Sequence, residues 1–337
     1  VQKIHQAYGK DFQLPNLSAH NETCANIGNV LWNRRMLELT GDARYADVVE
    51  LALYNSVLSG VSMDGDKFFY TNPLAISASY PYSLRWSGGR EKYIALSNCC
   101  PPNLVRTIAE ISNYMYSVAD DGVYVDLYGG NVLHTTLKDG APIVLEQQTD
   151  YPWDGYISVV VKEAPVKETG IFMRIPGWCK KASLSVNGKV VEVKQGGYAK
   201  LFRHWRAGDR IKLVLDMPAT LIEANPLVEE TKNQVAVKRG PLVYCLESVD
   251  LRAEQQLSDI IVPSDIRLQQ KPFKIDNGNV MALEGDVRLL QHNSWSGVLY
   301  KELNDSTQTV RVKWIPYYAW ANRGKSDMSV WLPLSRR

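Results

Sequence analysis

The chain has 337 residues, of which 45% are hydrophobic and 22% charged, with 38 Lys and Arg against 36 Asp and Glu. That length supports two or three domains, each with its own core. No apolar run is long enough to cross a bilayer, and the near balance of charge without a basic block gives nucleic acid no footing, so neither a membrane nor a nucleic-acid partner is expected. The sequence opens at Val1 in polar, loop-like residues; it reads as a fragment of something longer and leaves the compartment undetermined.

Residues 1–21 show little periodicity and read as a long loop broken at Leu14-Pro15-Asn16, and loops of that kind are often functional. From Cys24 the spacing predicts a helix with Ile27, Val30, Leu31 and Leu37 on one face and Gly41 closing it. A second helix is expected over Asp42 to Leu58, with Tyr45, Val48, Ala52 and Leu53 inward, then a turn at 62–66 and a short strand from Lys67 to Thr71. The pair Cys99-Cys100 opens a third helix, in which Leu104, Ile108, Ile111, Met115 and Val118 form an apolar stripe read as a core face.

After Asp120-Asp121-Gly122 the period changes from 3.6 to 2. Short strands are expected at 123–127, 157–161, 170–175, 182–186 before an Asn187-Gly188 turn, and 210–215. This pattern reads as a β-sandwich. A break near Asn225-Pro226 precedes more strands at 235–237, 242–246, 309–314 and 328–332. Three units follow: a helical one over 1–118, a sandwich over 119–226, and a second, smaller sandwich-like unit over 227–337.

Of the five cysteines, Cys24, Cys99 and Cys100 stand at the starts of two predicted helices, and Glu22 lies two residues from the first. Unpaired N–H groups and the macrodipole at a helix start favour a thiolate over a thiol. Three soft sulfurs and a carboxylate suit zinc better than magnesium or calcium. Inside a helix Glu22 and Cys24 would point apart, so both should lie in the extended segment leading into it. The plainer alternative is a set of buried, inert thiols. Cys179 and Cys245 stand alone in strand-like runs and are expected in the core; an odd, irregular set of cysteines fits no disulfide framework.

Several longer runs carry a resemblance. Glu22-Thr23-Cys24-Ala25, Tyr45-Ala46-Asp47-Val48 through Ala52-Leu53-Tyr54-Asn55, Phe68-Phe69-Tyr70-Thr71-Asn72-Pro73, Cys99-Cys100-Pro101-Pro102-Asn103 and Pro316-Tyr317-Tyr318-Ala319-Trp320-Ala321-Asn322-Arg323-Gly324 resemble the bacterial glycoside hydrolases typified by β-L-arabinofuranosidase, families 127 and 146. The resemblance spans residues 5 to 333. It implies the C-terminal half of an (α/α)6 catalytic barrel over 1–118, followed by the β domains, and so a fragment inactive on its own. The severed helix faces would expose apolar surface, unless self-association with a second chain covers them.

By the same resemblance Glu22, Cys24, Cys99 and Cys100 hold zinc, Cys99 is the nucleophile of a retaining reaction, and Glu50 and Tyr70 bind sugar hydroxyls. The implied substrate is an L-arabinofuranose-like sugar of plant cell-wall oligosaccharides. The alternative is a catalytically silent carbohydrate-binding homologue with a structural zinc. One departure matters. Where the family carries Gly-Glu-Ala-Phe, with the glutamate as general acid/base, this chain has His5-Gln6-Ala7-Tyr8, and glutamine cannot donate a proton to a leaving oxygen. Either His5 or Asp11 supplies the proton, or the substrate carries its own acid, as a carboxylated furanose of pectin would, or the protein binds sugar without turning it over.

Overall fold

The computed structural model describes residues 7–78, 90–92, 99–291, 297–302 and 306–336. The chain divides into two compact units, one made of Val1–Ala25, Asn55–Pro101 and Ala219–Arg337, the other of Asn26–Tyr54 and Pro102–Pro218. No helix among the described residues is long and apolar enough to cross a membrane.

The helices begin much as the sequence predicts. Helix α1 spans Thr23–Thr40 and buries Ile27, Val30 and Leu37. Gly41 ends it with φ of 65° and its N–H on the Leu37 carbonyl, the left-handed cap that glycine adopts without a Cβ clash. Leu31, expected inward, is exposed together with Trp32 and Leu39. Helix α2, Ala43–Ala52, is capped by the Asp42 side chain, which accepts from Arg44 N, and runs on into a π-helical turn over Leu53–Val57. It buries Ala43, Ala46, Val49, Glu50 and Ala52; of the face expected, Ala52 and Leu53 are buried and Tyr45 and Val48 half-buried.

Helix α3, Cys100–Ala109, is shorter than the stripe running to Val118 predicts. A 3-10 turn over Ile111–Tyr114 follows, and Tyr116–Ala119 is a strand paired with Gly122–Val125. Strand pairing overrides the helical spacing because Tyr116 also fixes its hydroxyl between Asn131 and Gln147. The stripe is not a continuous core face either: Leu104 is buried, but Ile108, Ile111 and Val118 are exposed.

The second unit contains the expected sandwich. A four-stranded sheet, ordered Tyr198–Arg203, Thr169–Arg174, Gly122–Val125, Tyr116–Ala119, and a six-stranded sheet, ordered Asn131–Thr136, Pro142–Gln148, Tyr156–Glu163, Arg210–Leu215, Ala182–Val186, Lys189–Val191, share one core. Val123, Val125, Ile171 and Met173 come from one sheet, and Leu145, Ile157, Val159, Leu184, Ile211 and Leu213 from the other. Asn187 and Gly188 join two of the strands with φ of 49° and 81°, the mirror-image turn that suits the twist of a hairpin.

The first unit holds a ten-stranded sheet in which Leu242–Glu247, Ser306–Pro316, Gly278–Gln291, Ile260–Pro263, Leu332–Ser335 and Gln234–Arg239 pair in that order and the last pairs back to the first. The pairing closes on itself, where the sequence suggested a second sandwich. Asn225-Pro226, read as a boundary, lies in the connection between the paired strands Ala219–Glu223 and Gln234–Arg239. Lys67 to Thr71 forms no strand; its residues make isolated bridges, Phe68 with Val61 and Glu91, and Thr71 with Glu22. The C-terminal strands hold this stretch through several hydrogen bonds. The Asn55 side chain donates to Pro241 O and accepts from Val243 N, Tyr317 Oη donates to Pro73 O, and Ala75–Ile76 pairs with Met328–Ser329.

Gly122 is a tight backbone approach in the sandwich: its φ is 144°, and a Cβ there would lie 2.0 Å from the Gly170 carbonyl oxygen. Gly140, with φ of 83° and open space around it, faces only the left-handed penalty of about 1–2 kcal/mol. Gly122→Ala is therefore expected to cost several times the stability that Gly140→Ala costs in urea unfolding; equal losses would mean that the two strands separate freely.

Candidate metal centre

Two segments far apart in sequence are laced together just ahead of α1. Thr23 donates its N–H to Tyr70 O at 2.9 Å and its hydroxyl to Phe69 O at 2.9 Å, and Asn72 N donates to Asn21 O at 2.9 Å. Asn21 adopts φ of 37°, a conformation Asn tolerates, and donates from its amide to Asn72 O at 2.5 Å. The Asn72 amide donates to the Thr23 hydroxyl, and its oxygen accepts from Ser59. Glu22 is thereby held extended opposite Thr71, while Cys24 falls in the first turn of α1. The carboxylate is extended as expected; the thiol is already helical.

Behind this stretch Arg90 is buried, with its guanidinium 4.5 Å from the Phe69 ring centre and donating to Ser59, Tyr318 and Trp320 carbonyls. Desolvation pulls it down to about 10 from the usual arginine value. Phe69 in turn stacks on Trp320 at 4.8 Å. From the other side Cys99 precedes α3, and Cys100, Pro101 and Pro102 form its first turn, where proline's missing N–H costs nothing.

The result brings Glu22, Cys24, Cys99 and Cys100 together, their ligand atoms all within 4.8 Å of one another. Glu22 Oε1 lies 3.7 Å from Cys100 Sγ and 3.9 Å from Cys99 Sγ, and the two sulfurs are 3.8 Å apart. Glu22 and Cys100 are buried, Cys24 is half-buried, and Cys99 is exposed. Four donors of this chemistry, converging from two helix starts, fit a thiophilic divalent cation such as zinc. Tyr70 belongs to the same cluster, packing on Cys100 with Cys24 and Phe68.

One residue of the site went unread in the sequence. His20 is buried, its Nε2 lies 3.2 Å from Glu22 Oε2, and its ring meets Tyr70 edge-on at 5.4 Å. His20 and Glu22 are brought together across Asn21, whose φ of 37° turns the backbone between them, and side-chain spacing gives no sign of that turn.

The remaining expected residues lie elsewhere. Gln6 and His5 are outside the described residues. Asp11 is exposed and lines a cleft of about 650 Å³ with Phe12, Gln13 and Glu229. Glu50 belongs to the other unit and is 1% exposed; it accepts from Tyr151 Oη at 2.6 Å, Arg174 Nη2 at 2.5 Å and Trp178 Nε1 at 3.1 Å. Arg174 also donates to Asp47. Burial works against its charge, but the Glu50 and Asp47 carboxylates push the guanidinium well above its ordinary value. Cys179 and Cys245 are core thiols, both raised by burial.

Comparison with known proteins places these features in a family. Residues 1–113 match the family model of the β-L-arabinofuranosidase GH127 catalytic domain, 122–217 that of the GH127 middle domain, and 219–333 that of the glycoside hydrolase family 127 C-terminal domain. The chain belongs to glycoside hydrolase family 127. It is 30% identical over 348 residues to a non-reducing end β-L-arabinofuranosidase of Bifidobacterium longum subsp. longum, an alignment covering 97% of this chain and 51% of that protein. A solved glycoside hydrolase superposes with a TM-score of 0.94 at 53% identity, covering 99% of this chain and 55% of its own. A GH127 β-L-arabinofuranosidase from Geobacillus stearothermophilus T6 superposes at 0.89 with 40% identity, over 96% and 52%. The chain thus spans about half the length of the relatives it matches.

The Arg174 network has a measurable consequence. Arg174→Met strands the Glu50 and Asp47 carboxylates and is expected to cost about 3–5 kcal/mol in urea unfolding of the sandwich. Adding Glu50→Gln should recover part of that loss; strictly additive effects would show that the pair is not coupled.

Proposed function

We propose that the chain is part of a retaining glycoside hydrolase that releases an L-arabinofuranose-like sugar from plant cell-wall glycans, with Glu22, Cys24, Cys99 and Cys100 holding zinc and Cys99 as nucleophile. The observation that carries this reading is the exposure of Cys99: it is the most exposed member of the four-donor cluster, and it sits at the start of α3. A bound zinc would hold the sulfurs deprotonated at neutral pH. The Cys99 sulfur attacks the anomeric carbon as the bond to the leaving oxygen breaks, that oxygen taking a proton from His5, Asp11 or a carboxyl of the substrate, and a glycosyl thioether forms; water then attacks the same carbon, giving its proton back to that group, and the sulfur departs. Two inversions leave the configuration retained.

We place Tyr70 beside the sugar, supported by its packing on Cys100. For Glu50, burial and three donors favour a positioning role over direct sugar contact. Helices α1, α2 and α3 belong, in this reading, to an (α/α)6 barrel over residues 1–118, ahead of β domains over 119–226 and 227–337. Leu31, Trp32 and Leu39 on α1 and Val105 and Ile108 on α3, all exposed, support that assignment, because barrel helices bury apolar residues against neighbours on both sides.

A structural zinc in a silent sugar-binding protein is favoured by one fact: four protein donors fill a tetrahedral shell and leave no open position. Turnover decides between the two. In the full-length protein, acting on an aryl β-L-arabinofuranoside, Cys99→Ser is expected to lower turnover by about 10⁴-fold or more. Activity unchanged in Cys99→Ser would remove it as nucleophile, and an inactive unaltered protein would favour the silent reading.

Gln6 gives a separate test, since it stands where family members carry the acid/base glutamate. Gln6→Glu is expected to raise turnover of neutral arabinofuranosides by about 10²-fold, the worth of a positioned proton donor. With a carboxylated furanose the same change should slow the reaction, because two carboxylates would then repel. No change on either substrate would remove Gln6 from the acid/base position.

A further inference from the structure

We infer that His20 is a positioning residue of the metal centre, fixing which oxygen of Glu22 is presented to the cation; the inference rests on the metal reading proposed above. A carboxylate that contributes one oxygen to a tetrahedral ion must keep its other oxygen occupied elsewhere, or it swings toward two-oxygen binding. Here the division of labour is built in. Oε1 faces both sulfurs of the Cys99-Cys100 pair at 3.9 and 3.7 Å, and Oε2 faces His20 Nε2 at 3.2 Å.

An ionised Glu22 Oε2 only accepts, so the hydrogen of this contact lies on Nε2. Nδ1 has no hydrogen-bond partner among the described residues. A histidine placed for its own hydrogen bonding would not strand one ring nitrogen in the interior. This one is held by shape and by a single directed contact: the Tyr70 edge fixes the ring plane at 67°, and only 3% of the residue is exposed. The backbone turn at Asn21 brings both side chains to one side, and the pairing of 21–23 with 70–72 fixes that turn. Outer partners of this kind hold a ligand's orientation, and losing one typically costs 10- to 100-fold in metal affinity.

The test compares His20→Gln with His20→Asn. The glutamine amide nitrogen reaches the place of Nε2 and can donate to Oε2, whereas the asparagine amide reaches only the place of Nδ1. Zinc affinity is read by competition with a chromophoric chelator, and the visible spectrum of the cobalt(II)-loaded protein reports the ligand geometry. The expected result is a 10- to 100-fold loss of zinc affinity and an altered cobalt spectrum in His20→Asn, with both largely restored in His20→Gln. Wild-type affinity and spectrum in His20→Asn would overturn the inference. So would equal losses in both variants, which would assign His20 a packing role only. If the unaltered protein itself binds no zinc, the metal reading fails and the inference with it, an outcome distinct from either of these. Should His20→Asn not fold, His20→Gln still decides: near wild-type affinity and spectrum support the donor role, and a loss in the folded Gln variant overturns it.

Discussion

The hydrogen bonds between residues 21–23 and 69–72 are the constraint on which the site depends. They are made almost wholly by backbone groups and by the two short amides of Asn21 and Asn72, so their geometry is nearly independent of the side chains that later do chemistry. By holding Glu22 extended and starting α1 one residue later, they put a carboxylate and a thiol two positions apart on one point in space. A continuous helix through residue 22 would have sent those two side chains in different directions.

Ionisable groups in the interior are treated in two ways. Arg174, Arg90 and Glu247 are buried against fixed partners: Glu50 and Asp47, three carbonyls, and Arg323, respectively. Such groups give orientation more than net stability, since desolvation consumes much of the attraction. At the metal centre the carboxylate and thiols instead face one another, a grouping of like potential charge that a cation reconciles. The contrast separates structural charge from chemical charge more clearly than burial alone, because Glu50 is buried as deeply as Cys100.

Some strands with a buried inner face are legible in the sequence. Ala182–Val186 and Arg210–Leu215 alternate cleanly, and Asn187-Gly188 names its own turn. Several strands escaped that reading: Asn131–Thr136 and Gln269–Ile275 are mostly half-buried or exposed, whereas Pro142–Gln148 buries Ile143, Leu145 and Gln147 but carries the polar run Glu146-Gln147-Gln148. α3 was read too long because residues at helical spacing past Ala109 join a sheet instead, a decision made by distant strands. The four-donor cluster was readable from donor chemistry and helix starts. His20 was not, because its contact with Glu22 depends on the positive φ of Asn21, which side-chain spacing does not announce.

The centre's ligands are also made long before the frame that steadies them. Cys24, Cys99 and Cys100 precede the six strands whose pairing closes, whereas two of the three carbonyls that receive Arg90 lie at 318 and 320 and the strand Leu332–Ser335 comes later still. During synthesis at about 5–20 residues per second, the thiols exist for roughly ten seconds or longer before their scaffold can close. Until the strand at 332–335 is made, these thiols stand on an open chain, where a reducing surrounding would keep them from oxidation.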